Sequence, residues 1–377
     1  MPHADCLVIG AGIAGLSLAA RLAQSMKVVV LEAESAAGYH ASGRSVAFAH
    51  FGLGENTVRA LTAASLPEFL EIEGPSGAPI ASVQPALHIA REDETEALEA
   101  LAQVHERYGA RFEFLQGEEI QKVAPVLKVG PEAAYRAILD TGSLKLDTDA
   151  MLQRHLTDLR AAGGELVTGA SVRAIERTGE VWDIRTSSGA YQSPRIVNAA
   201  GAWADEIARL AGVQTIGLEP RRRTVISFAG PPDTDVSRWP FVKTVGEGFY
   251  MLPEGKTQLL ASSMDQTPSA PCDAAAEELD IAVAAARVVN ATTLEVRRIA
   301  HSWAGLRSFA PDERPVIGEA AEAPGFFWCA GQGGYGFQTS AALSRLAAGC
   351  VTGDPWPSDL HEAGVTPDVF SPARFAA

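Results

Sequence analysis

The chain has 377 residues, 47% hydrophobic and 20% charged, the composition of an ordinary globular enzyme with length for two domains. With 46 acids against 31 bases the formal net charge is −15, which disfavours nucleic acid and anionic lipid as partners. Its 4 cysteines, Cys6, Cys272, Cys329 and Cys350, match no metal or redox spacing, so free thiols, no metal site and a reducing compartment are expected.

A short apolar strand over residues 5–9 runs into a glycine turn, and a helix is expected over 13–25. The apolar run from Leu7 to Ala20 lacks the basic start of a signal peptide. No other stretch approaches membrane-spanning length without charges, so a cytoplasmic location and no membrane span are expected. A β-branched strand at 27–31 closes at Glu32. Helical patterns follow at 57–70, interrupted by Pro67, then at 94–108 and at 147–162, the last capped by Asp147 and stopped by Gly163-Gly164.

Strand-like stretches then dominate: 164–167, 172–175, 182–186 and 195–198, followed by 221–228, 248–252 and 258–261, with one helix near 275–288. The tail after Gly353 is proline-rich and reads as an extended wrap. Parallel βαβ texture at the start and antiparallel texture in the middle predict an α/β fold, α+β overall. Nucleotide-like motifs return at 198 and at 305, so the two domains are expected to interleave.

Five motifs carry chemistry. In Gly10-Ala11-Gly12-Ile13-Ala14-Gly15, Gly10 permits a tight turn, Gly12 lets backbone approach a pyrophosphate, and Gly15 lets helix and strand pack closely. The helix N-terminus then offers unpaired N–H groups and a favourable dipole to phosphate. Glu32, with Ala33 after it, ends the second strand, where a carboxylate accepts from ribose hydroxyls. A dinucleotide is therefore expected.

The second motif, Gly38–Ser45, contributes Ser42, Gly43, Arg44 and Ser45 to a polar loop suited to the pyrophosphate near the reactive end. The third, Val197–Trp203, offers the small residues Ala199, Ala200 and Gly201 before Trp203, against which a flat ring can lie. The fourth is Trp303-Ala304-Gly305-Leu306-Arg307. The fifth, Gly331–Gln338, sets Gly333, Gly334, Tyr335, Gly336, Phe337 and Gln338 at the opening of a helix expected over 339–348. That helix end would stabilise negative charge on a reduced ring. Val172 joins these as a candidate cofactor contact.

Together these motifs resemble the FAD-dependent D-amino-acid oxidase-like superfamily of amine and amino-acid oxidoreductases, from Ala4 to about Gly353. The likeness looks closest to bacterial D-amino-acid dehydrogenases of the D-arginine dehydrogenase type. It rests on Gly38–Ser45, Val58–Ser65, Trp303–Phe309 and Gln332–Ser340. It implies a glutathione-reductase-type Rossmann domain for FAD, interleaved with an antiparallel-sheet substrate domain. The expected FAD domain is 1–84, 140–213 and 303–377, and the substrate domain 85–139 and 214–302. The resemblance further implies oxidation of a C–N bond, with hydride passing from the substrate α-carbon to flavin N5. The FAD is expected to be non-covalent. The electron acceptor, whether oxygen, a quinone or an electron-transfer protein, is not legible.

An amino-acid carboxylate needs a fixed cation, and the planar fork of arginine suits it. Arg307 is the first candidate. Arg222 is the second, since in a strand it shares a face with Ile226 and Phe228 while Arg221 and Arg223 point away; a structural ion pair is its alternative role. Tyr250 matches a family position where tyrosine bonds the substrate carboxylate. Tyr335 and Gln338 are expected on the active face of the flavin, and Ser45 near N5, while His40 and His50 read as loop histidines. Where D-arginine-type relatives carry histidine, this chain has Phe48, followed by Phe51 and Leu53, and residues 83–87 lack an acid to pair a guanidinium. The expected substrate is a D-amino acid with an uncharged side chain, or a small secondary amino acid. A 2-hydroxy-acid or polyol-phosphate dehydrogenase and a flavin-holding subunit without catalysis are the alternatives.

Overall fold

The computed structural model describes residues 3–375. A six-stranded sheet runs in the order Val316–Glu319, Phe326–Ala330, Ile196–Asn198, Cys6–Ile9, Val28–Leu31, Glu165–Val167. Every neighbouring pair is parallel except the first. The central strands are apolar throughout because both faces are covered. Cys6, Val8, Val28 and Val30 pack under the helices Ile13–Leu22, Thr148–Ala161 and Gly336–Thr352. Leu7, Ile9, Val29 and Leu31 face the opposite side, toward the antiparallel strands Val172–Thr178, Val181–Thr186 and Ala190–Ser193 and the helix Ala204–Leu210.

A second, nine-stranded sheet is almost wholly antiparallel. Its order is Ile299–Phe309, Glu219–Ala229, Gln258–Ser262, Tyr250–Glu254, Phe241–Thr244, Ala86–Ala90, Arg136–Asp140, Phe112–Gln116, with Thr267–Pro268 also paired to Glu219–Ala229. Only Phe241–Thr244 and Ala86–Ala90 run parallel. One face buries Leu87, Ile226, Phe228, Val242 and Met251 with Ala284 and Val288 of the helix Glu278–Ala291. The other face looks toward the glycine turns of the first sheet, and its strand registers align Tyr250 with Lys243 and Lys243 with His88.

The fold departs from expectation in three places. Ile299–Phe309 is one unbroken strand paired along Glu219–Ala229, so no domain break falls at 303, and the segment belongs to the second sheet through Phe309. The helix Asn56–Glu71 continues through Pro67. Its buried Val58, Leu61, Ser65 and Phe69 dock on the core, and tertiary packing outweighs a proline cost of about 3 kcal/mol. The tail is not extended: it forms the helices Ser358–Glu362 and Pro367–Phe370 and a 3₁₀ turn Pro372–Phe375. Leu360, Val365 and Phe370, all fully buried, anchor it to the first core. Among the described residues, no helix is long and apolar enough to cross a membrane.

Candidate active site

The N-terminal turn is set by close approach. Gly10 has φ of 105°, and a Cβ there would stand 2.4 Å from the Ala199 carbonyl oxygen. At Gly15 a Cβ would stand 2.0 Å from the Gly10 carbonyl oxygen. Both distances are far inside van der Waals contact, so only glycine lets strand and helix meet this closely. The Glu32 carboxylate folds back under the turn, accepting the Ala11 N–H at 2.7 Å and the Glu34 N–H at 2.9 Å. The Ser42 hydroxyl accepts the Ile13 N–H at 2.9 Å, joining the second motif to the first.

A cavity of about 540 Å³ opens from this turn and runs between the two sheets, within the usual range for a ligand site. At one end it is lined by Glu32, Ala33, Glu34 and Val172. Its middle is lined by Gly10, Gly12, Ile13, Ala14, Ser42 and Arg44, and flanked by Ala199, Ala200, Gly201 and Trp203. The far end is lined by Ser45, Val46, Arg223, Tyr250, Gly305, Arg307, Gly333, Gly334, Gly336 and Phe337. A long cleft with one anion-binding helix start at its middle, Ile13–Leu22, and a second at its far end, Gly336–Thr352, fits a dinucleotide that also carries a flat ring.

Long-range ties hold the second motif against the fourth. Arg44 donates through Nη1 to the Ala304 and Ala274 carbonyls, at 3.0 and 2.7 Å, and pairs with Asp273. Trp303 Nε1 donates to the Arg44 carbonyl at 3.0 Å. The Ser45 hydroxyl accepts the Ala47 N–H at 3.1 Å, which leaves its own proton to be donated into the cavity.

The far end is positively charged. A Cβ at Gly334 would lie 2.8 Å from Arg307 Nη1, so the guanidinium rests on the glycine backbone. Among the described residues, no carboxylate pairs with Arg307. The Tyr250 hydroxyl beside it is buried and has no hydrogen-bond partner. Arg223 is buried, donates to the Asp265 and Met264 carbonyls at 2.7 and 3.2 Å, and has the Asp265 carboxylate at 4.0 Å. Burial and the charge of Arg307 push Arg223 down to about 9; burial lowers Arg307 as well. The arginine guanidinium keeps its charge in proteins, and while Arg223 has Asp265 at 4.0 Å, an anion is the missing partner of Arg307.

Three expected site side chains lie elsewhere. Arg222 shares the face of Ile226 and Phe228, as its parity requires, but that face looks at the helix Glu278–Ala291. There Arg222 pairs with Glu277 and with Asp280 at 3.0 Å, so it has the structural role and does not line the cavity. Tyr335 turns its hydroxyl to the Glu313 carbonyl and packs edge-on to Phe309. Gln338 donates to Thr62 Oγ1 at 2.8 Å, tying two helices together. Both sit in a helix start that borders the cavity, but helical rotation turns their side chains into the core. Gly15 and Gly43 serve packing and turn geometry, and neither lines the cleft.

Arg223 is the residue that parity alone missed. Both faces of Glu219–Ala229 are buried, Arg223, Val225 and Ser227 on one and Ile226 and Phe228 on the other, so the apolar neighbours of Arg222 did not mark the ligand face. Cys272 is also unlike the other thiols, being exposed at the cavity's edge.

Comparison with known proteins agrees with this geometry. Hydrogen cyanide synthase subunit HcnC of Pseudomonas aeruginosa is 25% identical over 272 residues, covering 71% of this chain and 63% of that protein. Mitochondrial dimethylglycine dehydrogenase of Homo sapiens is 29% identical over 225 residues, 56% of this chain and 25% of that protein. The matched region thus spans less than two thirds of either relative. Among solved structures, L-proline dehydrogenase from P. horikoshii superposes with a TM-score of 0.84 at 18% identity, covering 100% of this chain and 98% of that one. Glycine oxidase from Geobacillus kaustophilus gives 0.79 at 20% identity, covering 97% and 99%. The family described as FAD dependent oxidoreductase matches residues 5–349, and with a cleft whose two glycine turns suit FAD at both ends, this chain belongs to that family.

Proposed function

We propose that this FAD-dependent oxidoreductase oxidises the C–N bond of an amino acid, either D-configured or a small secondary amine, whose side chain is not cationic. The carrying observation is Arg307: a cation without an acid partner on the cleft wall, beside the unpartnered hydroxyl of Tyr250. A substrate α-carboxylate would accept from both, a charge-assisted contact worth about 1.5–3 kcal/mol. When bound, FAD supplies the hydride acceptor.

The chain's own residues do the rest. Arg307 and Tyr250 hold the carboxylate, Arg223 raises the positive potential behind them, and the Ser45 hydroxyl is free to donate near the ring. Among the described residues, no acid lines the reactive end of the cleft; its acids, Glu32, Glu34 and Glu206, lie at the adenine end or near the middle. A guanidinium or ammonium side chain would therefore be buried unpaired among cations, which is costly. The similarity to dimethylglycine dehydrogenase and glycine oxidase supports an amine substrate. A second reading draws on the same unpaired cation, which also suits a 2-hydroxy acid or a phosphate. The solved L-α-glycerophosphate oxidase from Mycoplasma pneumoniae has a similar fold, with a TM-score of 0.82.

One experiment separates the two readings. The purified holoprotein is mixed anaerobically with D- and L-amino acids, N-methyl amino acids, 2-hydroxy acids and glycerol phosphate, and bleaching of the flavin band is followed. Bleaching by amino acids supports the proposal. Bleaching confined to hydroxy acids or glycerol phosphate overturns it.

A further inference from the structure

Behind the carboxylate-holding wall, next to Tyr250 but outside the residues that line the cavity, lies a second polar patch that is only partly satisfied. Strand register places Tyr250 opposite Lys243, and Lys243 opposite His88, in one row across the cofactor-facing side of the second sheet. His88 is fully buried, and among the described residues neither ring nitrogen has a hydrogen-bond partner. His50 packs on His88 with ring centroids 5.2 Å apart, and its Nδ1 accepts the Gly52 N–H at 3.1 Å. Lys243 Nζ donates only to the Thr244 carbonyl beside it, at 2.9 Å.

The nearby acids are already engaged. Asp140 accepts from His105 at 3.1 Å and from the Ser143 hydroxyl at 2.7 Å. Glu94 pairs with Arg91 at 3.2 Å. Asp265 lies against Arg223 and accepts the Thr224 N–H at 3.0 Å. Among the described residues this leaves two cations on the row and its rim, Arg307 and Lys243, with no carboxylate of their own. Buried polar groups are normally matched, and one α-carboxylate can match only one of these two cations closely.

We infer that Lys243, with His88 and the outer side of Tyr250, forms a second anion subsite, so that the substrate is an amino acid bearing a second acidic group. This rests on the amino-acid reading above and narrows its non-cationic side chain to an anionic one. Tyr250 and Lys243 sit on adjacent strands, about 4.8 Å apart, so a carboxylate two or three methylenes from the α-carbon of a substrate held at the Tyr250 hydroxyl reaches toward Lys243. The four-carbon lysine stem carries the ammonium over part of that gap. Burial first, then the charges of Arg223, Arg307 and Arg59, pushes Lys243 down to about 8, and the repulsion among these cations is relieved when both carboxylates are seated.

The test reads binding and reduction separately. Dissociation constants for glutarate and for butyrate are measured from perturbation of the flavin spectrum of the holoprotein. Anaerobic bleaching is then compared for glutamate, 2-aminoadipate and 2-aminobutyrate in both configurations. Binding of glutarate at least tenfold tighter than butyrate, with acidic amino acids the better reductants, supports the subsite. In Lys243→Met that ratio should collapse toward one, and Lys243→Arg should restore part of it. The ratio in the unaltered protein decides the matter even if Lys243→Met fails to fold. Equal affinity for the two acids, or a ratio unmoved in a folded Lys243→Met, overturns the subsite while neutral amino acids still bleaching the flavin leave the C–N reading intact. Failure of every amino acid to bleach the flavin overturns both.

Discussion

The two ends of the cleft solve the same problem, holding an anionic ligand, with different materials. At the N-terminal end the work is done by backbone. Gly10, Gly12 and Gly15 let N–H groups reach the ligand, and no positive side chain from that turn is needed. At the far end it is done by side chains, with Arg307, Arg223 and Tyr250 delivered by three strands of the second sheet and braced by the Gly333–Gly334 backbone. Backbone donors cannot be tuned to one substrate, which suits a cofactor; side chains can be exchanged one at a time, which suits substrate choice. The contrast predicts that damage at the first end removes the cofactor, while damage at the second spares the cofactor and changes the substrate.

The largest effect belongs to Gly15→Ala. Its Cβ would meet the Gly10 carbonyl oxygen at 2.0 Å, a backbone clash that no rotamer relieves, and overpacking of this kind costs about 1–3 kcal/mol. The purified variant should carry little FAD by absorbance and melt at lower temperature; full FAD content would break the contrast at its first end. Next is Arg307→Ala, which should keep its FAD and lose roughly 10- to 150-fold in kcat/KM, the equivalent of about 1.5–3 kcal/mol. Unchanged kinetics would remove Arg307 from the site.

A smaller effect concerns the histidines behind the wall. Burial, then the charge of Lys243, pushes His50 down to about 3, and burial lowers His88 well below its ordinary value. Both are neutral when folded and take up protons near 6.5 when unfolded. Their contribution is complete above about pH 6.5 and is lost as pH falls from there toward 3. Thermal melts of the holoprotein should therefore decline progressively over that window, and a flat profile would contradict neutral buried histidines. The smallest kinetic effect is expected from Arg222→Met. It breaks the pairs to Glu277 and Asp280 and should cost about 1 kcal/mol of stability, leaving kcat/KM within about twofold. A large loss of activity would return Arg222 to the site and erase the distinction from Arg223.

Much of the first end was legible from residue order. The turn Gly10–Gly15, the acidic residue at the close of the second strand and the helix after them are local in sequence. Their chemistry follows from spacing, because backbone geometry over a few residues does not depend on distant partners. The returning motifs at 198, 305 and 331 were legible for the same reason, as small residues where backbone approaches a ligand. The side chains of the second end were only partly so. Arg307 and Tyr250 were expected there, and both line the cleft. Arg222 was preferred to Arg223 because one face of its strand looked apolar, yet the helix Glu278–Ala291 supplies Glu277 and Asp280 to that face. Tyr335 and Gln338 occupy a glycine-rich helix start, but which way each points depends on the packing of that helix against Asn56–Glu71.

Sequence alone therefore determined that this chain builds a dinucleotide turn, that a second, antiparallel sheet follows it, and that Arg307 and Tyr250 belong to the cleft. Tertiary structure alone decided that Arg223, not Arg222, lines the cleft beside Arg307, and that Lys243 and His88 stand in a row beside Tyr250. The physical reason is range. A glycine turn is set by contacts among neighbours along the chain, whereas the ionic partners of Arg222, Arg223 and Lys243 come from other strands and helices, and register and packing choose them.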